Sequence, residues 1–173
     1  MPLLVIEGPD GSGKSTLAQK LLKGTGHPTL LVKRSGSPGS IETLRFQQEW
    51  IKAQGQSGLN VIADRHPILS EAVYDRAVRD KGSFYIIQDA VNAFKLPRVM
   101  LIYCRTDMDQ MFQNSQVEEQ MEGVHDNYRK LVREYDQWIM ALEEEHIDVY
   151  WFDYKTDEEQ VVEEVKRFWE GKR

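Results

Sequence analysis

Cysteine is almost missing from this chain. Cys104 stands alone among 173 residues, so no internal disulfide can form, and that usage fits a reducing cytosol. Long apolar runs are missing too: no stretch has the length of a membrane-spanning helix, and no signal-peptide pattern precedes the first apolar segment. A soluble, cytoplasmic chain with no membrane partner is therefore expected. An excess of positive charge is also absent. Lys plus Arg number 22 against 28 Asp plus Glu, a formal net charge of −6, which argues against broad nonspecific binding to nucleic acid but leaves room for a local basic groove. Repeats and low-complexity tracts are not found. The length suits one domain over residues 1–173 with a real hydrophobic core.

What the chain does contain is concentrated near its start. Gly8-Pro9-Asp10-Gly11-Ser12-Gly13-Lys14-Ser15 spells G-x-x-x-x-G-K-S, the phosphate-binding loop of P-loop NTPases. The apolar run Leu3-Leu4-Val5-Ile6 precedes it and the helical pattern of Leu17, Leu21 and Leu22 follows, which is the context the motif requires. Glycines 8, 11 and 13 let the backbone turn tightly enough to aim several N–H groups at one point. A helix opening near Gly13 adds the positive end of its dipole. Lys14 would bridge the outer phosphates of ATP, the Ser15 hydroxyl would ligate Mg2+, and Ser12 and Thr16 complete the cradle.

Further along, Thr29–Lys33 reads as a short strand, and the turn-rich Ser35–Ser40 leads into a helix with Ile41, Leu44 and Ile51. That loop is either a plain connection or a cover over substrate. Gly58–Asp64 is a buried strand ending in an acid, followed by a helix through Leu69 and Val73; Phe84–Phe94 is a further helix. Arg98–Cys104 is the next buried strand, with Cys104 as an apolar filler, and Thr106-Asp107 is placed to cap the following helix. Val124, Tyr128, Leu131, Val132, Tyr135, Ile139 and Leu142 mark one helical face. Asp148–Phe152 is a last strand, and Val161, Val162, Val165, Phe168 and Trp169 line a closing helix, with the aromatic stripes read as core. Alternating strands and helices predict an α/β fold: a doubly wound, five-stranded parallel sheet flanked by helices, of the P-loop nucleotide-kinase type.

A P-loop does not say what receives the phosphoryl group. The guanine-reading N-K-x-D of switch GTPases is absent, and motor or transporter ATPases are usually larger. Asp64, at the end of its strand, fits an acid that holds Mg2+ through water or orients an acceptor. Arg65 beside it suits bidentate binding of anionic oxygens.

Glu7–Thr16, together with Asp64-Arg65-His66 and the nearby Ser70 and Tyr74, resembles the thymidylate kinase family, above all its short phage-type deoxynucleotide kinases. The resemblance implies ATP- and Mg2+-dependent phosphoryl transfer to a deoxynucleoside monophosphate, thymidylate or a modified pyrimidine analogue. It implies that Asp10 accepts a hydrogen bond from the acceptor's 3′-hydroxyl and that Arg65 lies between donor and acceptor phosphates. It also makes His66, Ser70 and Tyr74 acceptor-side contacts and a homodimer the expected assembly.

The chain departs from that pattern in places. Pro67-Ile68-Leu69-Ser70 is one residue longer than usual, and the candidate lid, 106–123, has no basic residue between Thr106 and Gly123. The lid's cationic role then passes to Arg105, Arg129 or Arg133, or the lid does something else, and Glu118, Glu119 and Glu122 are expected to face solvent. An alternative acceptor is the hydroxymethyl group of 5-hydroxymethyluracil in phage DNA. Asp64 or Asp10 would be its base, and Arg76, Arg79 and Lys81 either a basic path for DNA or a solvated helix end. A nucleotide-binding regulator without transfer activity is a third reading, weakened by the intact Lys14, Ser15 and Asp64.

Overall fold

The computed structural model of the chain describes residues 2–33, 41–55, 59–80, 87–96, 98–117 and 121–172. Along them run β1 (Leu3–Glu7), α1 (Lys14–Gly24), β2 (Thr29–Lys33), α2 (Ile41–Gly55), β3 (Asn60–Asp64), α3 (Pro67–Ala77), α4 (Ile87–Phe94), β4 (Val99–Cys104), α5 (Met108–Ser115), α6 (Tyr128–Glu144), β5 (Val149–Phe152) and α7 (Glu158–Trp169). The five strands pair in parallel in the order β2-β3-β1-β4-β5. This is the expected doubly wound sheet. Ile6 of β1 stands opposite Asp64 of β3, so the loop after β1 and the residues after Asp64 leave the sheet side by side.

The period-2 alternation of the strands divides the core into two layers. Leu3, Val5, Val61, Ala63, Leu101 and Tyr103 face α3, α4 and α6, where they meet Leu69, Val73, Val91, Leu131 and Tyr135. Leu4, Ile6, Ile62, Met100, Ile102 and Cys104 face the other way, against Leu17 and Leu21 of α1 and Val161, Val165 and Phe168 of α7. A central strand covered on both faces has no polar side, which is why Leu3–Ile6 of β1 and the whole of β4 read as apolar runs. Cys104 is buried in this second layer, as expected.

Two element boundaries differ from the sequence reading. The helical face expected from Val124 opens as a helix only at Tyr128. Val124 is buried at the right spacing, but turns in which Val124 N–H donates to Met121 O at 3.2 Å and Asn127 N–H to Gly123 O at 3.2 Å hold it, after Gly123 at φ 82. The helix expected over Phe84–Phe94 is described from Ile87 onward. Ser35–Ser40, Lys81, Glu118 and Glu119 lie outside the described residues, while Glu122 is exposed. Among the described residues no helix is long and apolar enough to cross a membrane.

Asp107 caps α5 by accepting from Gln110 N–H at 3.0 Å. The helix then lies directly on the phosphate loop. Gly11 has φ 75, and a Cβ there would strike the Met111 carbonyl and approach Ser115 N to 2.7 Å. Asn114 Nδ2 donates to Gly11 O at 3.1 Å across the same contact. Gly26 has a similar φ, 69, with open space around it. Gly26→Ala is therefore expected to cost only the left-handed strain, about 1 kcal/mol. Gly11→Ala must also displace α5 and is expected to cost about 3 kcal/mol. Urea unfolding of both variants checks this; equal losses would show that α5 is not seated on the loop.

Candidate active site

The site forms where β1 and β3 end. Gly8, at φ 147, lies against β4 so closely that a Cβ would strike the Cys104 carbonyl. Gly13 is the N-cap of α1 at φ 84, without a side-chain cap, so the first N–H groups of that helix stay available. Lys14 is buried and curls into the loop, its Nζ donating to Pro9 O at 2.5 Å and lying 3.5 Å from Ser12 Oγ. Burial and the nearby Arg65 charge lower its pKa, against the pull of Asp10 and Asp64. A buried ammonium beside the uncapped start of a helix makes a place suited to anionic oxygens.

Arg65 brings the second cation. It has φ 78, a left-handed backbone that few non-glycine residues adopt, and its N–H extends the β1 ladder to Ile6 O at 2.9 Å. Its Nη2 is ion-paired with Asp10 Oδ1, its Nη1 donates to Tyr135 OH at 2.9 Å, and its guanidinium lies 5.4 Å from the centre of the Tyr74 ring. Tyr74 OH donates to the other Asp10 oxygen at 2.6 Å, and Tyr128 OH donates to Asp10 O at 2.5 Å. Burial alone would raise the Asp10 carboxyl pKa; the Arg65 and Lys14 charges and the Tyr74 hydrogen bond outweigh it and hold it below its usual range. The structure thus joins Asp10, Arg65 and Tyr74, three residues named from sequence, into one cluster with Tyr135 and Tyr128, which sequence reading placed only in the core.

Asp64 is buried and accepts from Ser15 Oγ at 2.9 Å. A hydroxyl and a carboxylate side by side at the opening of a phosphate cradle are hard oxygen donors of the kind Mg2+ takes. With so few protein ligands they would hold it together with phosphate oxygens and water.

Other named residues are placed elsewhere. His66 and Ser70 are buried rather than open to a cleft. The His66 ring packs on Phe94 with centroids 4.8 Å apart, while its backbone N–H and the Ser70 hydroxyl both donate to Glu7. Arg105 is held by Asp136 at 3.1 Å and by Thr106 O. Arg129 and Arg133 are exposed on α6, lining a groove with Met108, Phe112 and His125 of the α5 side. Their place follows from the helix: its inward face is taken by Tyr128, Leu131, Val132 and Tyr135. Arg79 is ion-paired with Glu71 and Asp75, and Arg76 lies over the Trp138 ring at 5.1 Å. Arg79, just past the end of α3, is thereby committed to two carboxylates of that helix.

One cleft opens at the Gly13 end of the phosphate loop and another at Arg65. One, of about 330 Å³, runs along the start of α1 and is lined by Gly13, Thr16, Lys20, Asn114 and Tyr154. The other, of about 250 Å³, lies beyond Arg65 and is lined by Val32, Lys33, Phe46, Gln47 and Trp50. Phe46 is 70% exposed and Trp50 40%, an aromatic pair one helical turn apart on α2 that sequence reading passed over.

The depressed Asp10 carboxyl sets a pH test. Asp10 binds fewer protons folded than unfolded, so its stabilising contribution is complete above the ordinary carboxyl range and is lost as pH falls through the lowered folded value. Wild type is expected to exceed Asp10→Asn in thermal stability at neutral pH, with the gap closing at strongly acidic pH. Melting curves from pH 7 to the acid limit of folding check this, and a constant gap would refute it.

No protein-family model and no curated protein sequence matches the chain. Solved structures do match its fold over nearly the full length. The YorR protein of Bacillus subtilis, in complex with phosphorylated GDP, is similar with a TM-score of 0.70 at 19% identity, over 97% of this chain and 95% of that one. Deoxyadenosine kinase from M. mycoides with the products dCMP and a flexible dCDP gives 0.62 at 13% identity, over 99% and 100%. The same enzyme with bound dATP gives 0.59 at 13%, over 94% and 98%. The likeness is one of fold: the chain has the five-stranded, helix-flanked sheet of the P-loop kinases.

Proposed function

We propose that the protein transfers the γ-phosphoryl group of ATP to a deoxynucleoside monophosphate, with thymidylate or a 5-modified pyrimidine analogue as acceptor, in the manner of thymidylate kinases. One observation carries the reading: the phosphate loop has a cleft on each side, one lined by Gly13 at the start of α1 and the other by Arg65, whose guanidinium is ion-paired with Asp10 of the same loop, which leaves room for a ligand on either side. A switch or regulator needs only one of these clefts. The neighbouring fold of a deoxyadenosine kinase, seen with dCMP and dCDP, supports the same class of chemistry.

In this reading the cleft along α1 takes the ATP base, with Tyr154 against Gly13 as its wall. Lys14 leaves Pro9 O for the outer phosphates, exchanging a neutral carbonyl for charged oxygens. Ser15 and Asp64 hold Mg2+, which supplies charge neutralisation at those phosphates when bound. The acceptor base stacks between Phe46 and Trp50, its sugar 3′-hydroxyl donates to Asp10, and Arg65 spans to its phosphate. A phosphate monoester is already a nucleophile, so positioning and charge stabilisation make up most of the work and no strong general base is required. The region 106–123 would act as a lid, resting through α5 on the loop and supplying no cation of its own.

A product screen with Mg-ATP across the deoxynucleoside monophosphates tests the reading and is expected to yield a diphosphate. Label transfer only to hydroxymethyluracil-containing DNA would overturn it. Lys14→Ala is expected to abolish transfer with the fold intact. Arg65→Ala is expected to lower kcat by about 100-fold or more with little change in ATP affinity, because the arginine acts on transferring charge. Trp50→Ala is expected to raise acceptor KM and leave KM for ATP alone; the reverse pattern would exchange the two clefts.

A further inference from the structure

We propose that Glu7 is a positioning residue: a buried carboxylate at the end of β1 that caps α3 from outside the helix and so fixes Arg65 in the conformation that aims it at the phosphate loop. Its kinetic consequence rests on the transfer reading above; its geometry does not.

Glu7 continues the alternation of Leu3 and Val5 and stands in register with Tyr103 of β4, on the α3–α6 side of the sheet. The pattern calls for an apolar residue there, yet the side chain is a wholly buried carboxylate. Such a group is costly unless hydrogen bonds satisfy it. Burial pushes its pKa up, and the Arg65 charge, the His66 N–H, the Ser70 hydroxyl and Lys14 pull it back only in part.

Its bonds are specific. His66 N–H donates to Oε1 at 2.5 Å, and Ser70 Oγ lies 2.9 Å from Oε1 and 3.2 Å from Oε2. Those two residues bracket the first turn of α3. That helix has His66 as N-cap with no side-chain cap and Pro67 at its first positions. In a capping box the N–H of the N-cap residue is met by a Glu or Gln at the third helical position; here that position is Leu69, the acceptor comes instead from β1, and it lies at the positive end of the helix.

Arg65 sits directly before this cap. Its left-handed φ of 78 is clamped from both sides, by its own N–H on Ile6 O at 2.9 Å and by the next N–H on Glu7. With the second clamp removed, Arg65 is free to relax towards an ordinary φ and carry its guanidinium away from Asp10 and Tyr135. Glu7 itself reaches neither cleft, so it acts through Arg65.

The test compares Glu7→Gln and Glu7→Ala in the full chain, with amide hydrogen exchange at His66 and steady-state kinetics as readouts. Gln keeps a carbonyl acceptor for the His66 N–H; Ala does not. Glu7→Gln is expected to retain His66 protection and a kcat within about threefold of wild type. Glu7→Ala is expected to lose that protection and about 10–100-fold in kcat with KM for ATP nearly unchanged, the signature of a misplaced group near the reacting atoms. A Glu7→Ala protein with a protected His66 amide and wild-type kcat would overturn the proposal. So would a Gln variant as impaired as the Ala variant while His66 stays protected, since charge alone would then be responsible. If Glu7→Ala does not fold, Ser70→Ala keeps the carboxylate but loosens it, and faster His66 exchange with reduced kcat is expected; no change in either would refute the cap. If wild type transfers to no monophosphate, the transfer reading fails, and His66 exchange in the variants still decides the cap.

Discussion

Two cations, Lys14 and Arg65, share one buried corner of the molecule, and the rest of the site is arranged to keep them there. Burial and the Arg65 charge press on the Lys14 ammonium, while the tyrosines, Asp10 and Glu7 around the partly buried guanidinium outweigh its desolvation and keep it charged. Three carboxylates on three segments supply the balance: Glu7 at the end of β1, Asp10 within the loop and Asp64 at the end of β3. The carboxylates differ in state. Asp10 is held low by the guanidinium and stays a strong acceptor, whereas Glu7 is pushed up by complete burial and serves backbone and hydroxyl donors. One holds the Arg65 guanidinium and the other the start of α3.

This balance explains why tyrosines crowd the same corner. Tyr74 and Tyr135 put a ring against the core and a hydroxyl onto the Asp10–Arg65 pair, and Tyr128 puts its hydroxyl onto the Asp10 backbone carbonyl. An aromatic body with a polar tip can satisfy a buried ion pair without adding charge. Helices α3 and α6 are therefore tied to the phosphate loop by polar contacts as well as by packing, and a shift of either would be felt at Asp10.

Much of this could be read from the chain alone, for definite reasons. The phosphate loop is a local device, so its spacing is visible in eight consecutive letters, and the strand and helix around it are visible as periodicity. Asp64 and Arg65 stood out because a charged pair closes an apolar strand. What escaped is what depends on contacts between distant segments. Glu7 looks like the last residue of a strand until α3 is folded over it. Phe46 and Trp50 sit on a helix whose buried side is marked by Ile51, and only their four-residue spacing hinted at a second face. The lack of a basic residue in 106–123 pointed to Arg105, Arg129 and Arg133; the tyrosine and leucine spacing of α6 puts the last two on its outer face, while the Asp136 partner of Arg105 is a contact between distant segments. His66 and Ser70 carried the right letters and turned inward, because the unsatisfied start of α3 and the buried Glu7 needed them more than a cleft did.

Cys104 ends β4 beneath the phosphate loop, fully buried, with burial first among the causes that push its thiol up to about 12. At neutral pH it presents almost no thiolate and no path for an electrophile. For solution work this makes the native sequence a blank background for thiol chemistry. A cysteine introduced at an exposed position, such as Val117 just after α5, would be the sole group that a maleimide dye or spin label finds in the folded protein. Movement of that region against the loop could then be followed with the resident thiol left in place.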